Sequence, residues 1–144
     1  MQAALQRQLR FEVVAVSRAE NRRWFGAESF SGSGMLPAGY VERLAAEFVA
    51  DGVLFVDLTQ YRTVRPLAVG FRAKLATVRD VRLVWTFDEV ISASDPAVAN
   101  RVRRDSKVAD RANAPVDLSE TAFLSPVRFA GVAATAMFET LPPR

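Results

Sequence analysis

"VLFVDLTQYRTVRPLAVGFRAKLA", residues Val53 to Ala76, carries the pattern that decides the fold. It opens with four apolar residues, Val53, Leu54, Phe55 and Val56, and turns polar at Asp57, Thr59 and Gln60. Its second half alternates: Leu67, Val69, Phe71, Ala73 and Leu75 interleave with Gly70, Arg72 and Lys74. A period of two with one apolar side is the mark of a half-buried antiparallel strand. The stretch therefore predicts two strands, about Val53 to Tyr61 and about Leu67 to Thr77. A third follows at about Arg82 to Ile91, with Leu83, Trp85, Phe87 and Ile91 on one face and "VRDVR" as the tight connection.

Helical spacing governs the flanks. In "AGYVERLAAEFVADG" the residues Tyr40, Val41, Leu44, Ala45 and Phe48 share a face, with Gly52 as the expected stop. Ahead of it, "GAESFSGSGMLP" reads as a flexible loop. Ser17 with Glu20 three residues on forms a capping box for a short helix bearing Trp24 and Phe25. "FEVVAV", Phe11 to Val16, is β-branched and reads as a strand, preceded by a short amphipathic helix with Ala4, Leu5 and Leu9. Downstream, Asp95 then Pro96 starts a helix whose stripe is thin: Val98, Val102 and Ala109. Ser125 then Pro126 starts another, with a broad apolar face of Val127, Ala130, Ala133, Ala134, Met137, Phe138 and Leu141. The expected fold is α/β (α+β): a single domain over residues 1–144, a two-layer sandwich with helices on a mixed sheet of about four strands.

Composition narrows the chemistry. The chain has no Cys and no His. That excludes thiol nucleophiles, disulfides, Cys or His metal sites and a Ser-His-Asp triad within it. Acid–base work would fall to Asp, Glu, Lys, Arg or Tyr. "GSG" at Gly32 to Gly34 lacks the rest of a phosphate-loop motif and has no strand immediately before it. No cofactor and no metal is expected. Net charge is +3 and the pI about 9.9. The basic residues are scattered among 16 acids without an aromatic-interleaved platform, so no nucleic-acid partner is expected. No apolar run is long enough to cross a membrane, and Met1 leads into "QAALQRQLRF" without a signal-peptide core.

Asp57 sits at the polar end of a hydrophobic strand, in phase with Val53, Phe55, Thr59 and Tyr61. The structural expectation is a cross-strand pair with Arg65, Arg72 or Lys74. The functional alternative is a small cytosolic enzyme or nucleotide binder using Asp57 with Arg72 or Lys74. Asp88 and Glu89, adjacent on a strand, point to opposite faces and cannot act on one substrate together. Asp57 and Asp88 can approach if their strands are neighbours. "NRVRRDSK" places Arg101, Arg103, Arg104 and Lys107 on one helix, as a solvated face or as a contact for a partner or a phosphate surface. The binding set expected from these readings is Asp57, Tyr61, Arg72, Arg101 and Arg104, with no catalytic residue.

The run "LPAGYVERLAAEFVADGVLFVDLTQYRTVRPLAVGFRAKL", followed by "LVWTFDEVISASDPAVANRVRR", resembles a group of bacterial envelope lipoproteins. The group comprises the curli-secretion-channel type, the penicillin-binding-protein activators and the TolB amino-terminal domain. The resemblance spans Phe11 to Arg104 and rests on Phe11, Leu36-Pro37, Asp57, Tyr61, Leu75, Trp85 and Asp95. It implies a non-catalytic module that binds or assembles with envelope proteins, in the periplasm or at the outer membrane. The group's lipid-anchor Cys and opening strand are absent from these residues. The expectation is therefore a piece of a longer, lipid-anchored product whose unpaired edge, at Phe11 to Val16 or Val53 to Tyr61, favours self-association. A chain truly starting at Met1 would be cytoplasmic.

Overall fold

A computed structural model describes residues 2–6, 11–111, 123 and 125–142. Its elements run α1 (Gln2–Gln6), α2 (Arg18–Phe25), α3 (Tyr40–Phe48), β1 (Gly52–Arg62), β2 (Ala68–Thr77), β3 (Leu83–Ser92), α4 (Pro96–Arg111) and α5 (Pro126–Glu139). The α+β class follows the sequence pattern. The sheet is smaller than expected: among the described residues it has three strands, not four, in the order β1-β2-β3, and every pairing is antiparallel rather than mixed.

The missing strand is Phe11 to Val16, which lies outside the sheet. Phe11 and Val13 pack on one hydrophobic cluster and Val16 on another. These residues find the half-buried surface that suits β-branched side chains without joining a ladder.

The strand alternation sorts the core into two clusters on opposite faces of the sheet. Leu54 and Val56 of β1, Val69, Phe71 and Ala73 of β2 and Trp85 and Phe87 of β3 face the larger cluster. It is closed by Ala4 and Leu5 of α1, Val102 of α4, and Phe129, Ala133, Ala134, Met137 and Phe138 of α5. Val127, expected on that apolar face, is instead exposed. The other parity of β1, Val53 and Phe55, packs on Tyr40, Val41 and Leu44 of α3 and on Trp24 and Phe25 of α2. The sheet-on-helices layer thus carries a small second helical layer over the start of β1.

Local signals hold at the helix ends. Ser17 and Glu20 form both halves of the capping box. The hydrogen bonds from the Ser17 hydroxyl and backbone hold the Glu20 carboxyl below its ordinary range. Asp95 accepts from the amide of Ala97 at 2.8 Å, and Ser125 from that of Arg128 at 3.3 Å. The end of α3 differs from expectation. It stops at Val49 in the left-handed region (φ 51°), ahead of Gly52, which begins β1.

Candidate functional site

Two bulges decide which residues meet. In β1, Leu58 pairs with Phe71 but Gln60 pairs with Gly70, so Thr59 is the extra residue. An inserted residue exchanges the two faces beyond it. Tyr61 consequently pairs with Val69 on the side of the larger core, while Asp57 lies on the opposite face. The shared face expected for Asp57 and Tyr61 is therefore not kept. Gly70 permits the bulge: a Cβ there would stand 2.5 Å from Thr59 Oγ1 and 3.2 Å from Gln60 N. In β3, Trp85 pairs with Leu75 but Leu83 with Ala76, which makes Val84 the extra residue. Leu83 thereby leaves the face of Trp85, Phe87 and Ile91, and half of it is exposed.

On the Asp57 face the register lines up two rows: Asp57, Arg72 and Asp88, and beside it Phe55, Lys74 and Thr86. Asp57, Arg72 and Lys74 are thus brought together as the sequence suggested. Their bonds run otherwise than expected. Asp57 forms no ion pair with Arg72, its cross-strand neighbour, but accepts from Ser31 Oγ at 2.7 Å and from the amide of Gly32 at 3.1 Å. Lys74 Nζ donates to the Gly32 carbonyl at 3.0 Å. Arg72 Nε donates to Asp88 at 2.7 Å, and Arg72 Nη1 reaches Ser33 Oγ at 3.5 Å. Ser31 and Ser33 are joined through their hydroxyls at 2.9 Å.

The loop that sequence reading took as flexible is therefore latched to the sheet by Asp57 and Lys74. Only glycine fits at its centre, because a Cβ on Gly32 would lie 2.6 Å from the Cβ of Phe55. Ser31, Gly32 and Ser33 are the members of this site that sequence reasoning missed. Asp57 and Asp88 flank Arg72 two strand spacings apart, roughly 10 Å. A charge row of this kind, acid, base, acid, can hold a loop in place or receive a polar partner surface.

The basic helix is partly engaged within the molecule. Arg101 pairs with Glu139 of α5, and the Arg103 guanidinium lies 5.5 Å over the Phe123 ring. Arg104 is exposed, and the side chain of Lys107 lies outside the described residues. Arg101 and Arg104 lie on α4, which packs on the larger cluster, while the Asp57 row is on the opposite face of the sheet, so the five expected binding residues do not form one constellation.

The smaller cluster contains a buried polar link. Tyr40 donates to Asn21 Oδ1 at 3.1 Å, and Asn21 donates on to the carbonyl of Glu28 at 3.4 Å. Burial raises the Tyr40 hydroxyl above its ordinary range, opposed by the Asn21 bond. Trp24 meets Phe25 and Phe48 edge-on, at 6.5 and 5.8 Å, and Arg43 lies over the Trp24 ring at 5.8 Å.

Among the described residues no helix is long and apolar enough to cross a membrane. No protein-family model and no curated protein matches the chain. Among solved structures it is similar to lipoprotein GNA1162 from Neisseria meningitidis, at 21% identity over 80% of this chain and 82% of that one, with a TM-score of 0.44.

Proposed function

We propose that this chain is a non-catalytic module that assembles with proteins of the bacterial envelope, beginning with a second copy of itself. The observation that carries the reading is the sheet's two open edges among the described residues, β1, as the sequence reading expected, and β3, the edge assigned to assembly. Among the described residues β3 pairs with β2 alone, and Leu83, Val84 and Val90 stand exposed along it. An edge strand offers a row of backbone donors and acceptors to an added strand. Asp88 is already answered by Arg72, which leaves Glu89 as the acid a partner strand meets.

The Asp57 row supports the same reading. A general base or a nucleotide anchor must direct its polar atoms at a substrate. Asp57 and Lys74 direct theirs at the Ser31–Gly32 backbone and hydroxyl. The enzyme or nucleotide-binder reading through Asp57 with Arg72 or Lys74 is accordingly second. The resemblance over Phe11 to Arg104 is what supports an envelope setting, with no cofactor or nucleic acid involved.

Sedimentation velocity over rising concentration tests the proposal. The chain should associate, and a Val84→Lys, Val90→Lys double variant should remain monomeric at the same concentrations with an unchanged thermal midpoint. A chain that stays monomeric to its solubility limit, or a double variant that associates equally, overturns it.

A further inference from the structure

A cleft of about 560 Å³ opens where the end of α2 meets the start of α3, lined by Arg23, Trp24, Phe25, Ala38, Gly39 and Arg43. It lies on the smaller helical layer, away from the β3 edge, and is independent of the assembly reading. Its floor is stiff. Trp24 and Phe25 are braced against Phe48, Phe30 and Tyr40, with Phe25 and Tyr40 ring centroids 4.6 Å apart. Arg43 is drawn over the Trp24 ring at 5.8 Å, so one guanidinium is already positioned.

The charge at this cleft is unanswered. Arg22, one residue before Arg23, pairs with Glu28 at 2.8 Å, and Arg72, Arg82 and Arg101 each pair with an acid. Neither Arg23 nor Arg43 forms an ion pair among the described residues. Gly39 is the N-cap of α3 and supplies no side-chain cap, but Glu42 in the first turn of α3 and the negative end of α2 offset the positive end of that helix, so the two arginines carry the charge of the cleft. Two guanidinium forks beside an aromatic face suit an anion that bears a flat or apolar body. Two full positive charges favour a dianion over a single carboxylate.

We infer that this cleft binds a phosphate monoester, with the phosphate held between Arg23 and Arg43 and the attached group lying on Trp24. The phosphate could be carried by a soluble ester or by a lipid headgroup, and the two are separable by experiment.

A Trp85→Phe background leaves Trp24 as the one tryptophan, so its emission reports on the cleft. Titration with phenyl phosphate should give a saturable change, displaced by inorganic phosphate and weaker with benzoate. Arg23→Gln and Arg43→Gln should each weaken binding about tenfold or more, the scale of a lost charged hydrogen bond. Arg43→Lys should fall between, since it keeps the charge but loses the fork. Both arginines are exposed, and an unchanged thermal midpoint in each variant separates lost binding from lost folding. Co-sedimentation with phosphatidic acid vesicles, and not with phosphatidylcholine alone, assigns the phosphate to a headgroup. Phenyl phosphate binding without co-sedimentation assigns it to a soluble ester. Absence of both, or equal affinity in the glutamine variants, overturns the inference.

Discussion

Asp57 is the residue on which the chemical and the structural readings part. Its carboxylate accepts two hydrogen bonds from residues 25 and 26 positions upstream, one from a hydroxyl and one from a backbone amide. A hydrogen bond to a charged group contributes about 1.5–3 kcal/mol when well buried and less when solvent competes. Ser31 is exposed and the Gly32 contact is half-buried, so the lower part of that range applies. Asp57→Ala should therefore cost about 1–2 kcal/mol in urea unfolding, with faster amide exchange at Gly32. Asp57→Asn keeps one acceptor oxygen and should cost about 1 kcal/mol or less. If the alanine variant unfolds at the native midpoint with Gly32 still protected, Asp57 is not the latch.

At the scale of the element, the bulge in β1 sets which side chains share a face. It exists because the partner strand offers Gly70 opposite the inserted residue. Gly70→Ala would put a methyl 2.5 Å from Thr59 Oγ1 and 3.1 Å from Gln60 Cβ. Overpacking of this kind costs about 1–3 kcal/mol. The Thr59 side chain is solvent-exposed and its hydroxyl is the nearest obstacle, so Thr59→Ala should recover part of the loss in the Gly70→Ala background. Backbone at Gln60 N stays at 3.2 Å and should keep the rescue incomplete. Additive costs in the double variant would show that the close approach to Thr59 is not the source of strain.

The whole molecule is held together where the sheet meets α5. Trp85 is 9% exposed, stacks on Phe87 at 6.2 Å, and donates its indole N–H to Thr140 Oγ1 at 3.1 Å. That bond ties the first part of β3 to the C-cap of α5 across 55 residues. Trp85→Ala should cost about 3–5 kcal/mol, against a total of about 5–15 kcal/mol for a domain. The expected outcome is loss of a cooperative thermal transition, or a midpoint lowered by many degrees. A cooperative transition near the native midpoint would mean that β3 and α5 do not depend on this contact.

The residues by themselves determined the elements. Alternation in Leu67 to Leu75 makes β2, the Ser17 and Glu20 pair starts α2, and Asp95-Pro96 and Ser125-Pro126 start α4 and α5. Each of these signals is complete within a few positions, because a strand's two faces and a helix's first turn are local geometry. The placement of Trp85 with Phe87 and Ile91 on the apolar face of β3 was also legible, since alternation alone decides it. Three features depended on tertiary structure. Phe11 to Val16 carries every local mark of a strand, yet whether it joins a ladder depends on what lies beside it. The faces of Tyr61 and Leu83 were reversed by bulges at Thr59 and Val84, and a bulge is a property of two strands in register rather than of one. The candidate site changed its meaning for the same reason: Asp57 finds its partners in Ser31 and Gly32, and periodicity carries no information about a hydrogen bond that closes only when a distant loop folds onto the sheet.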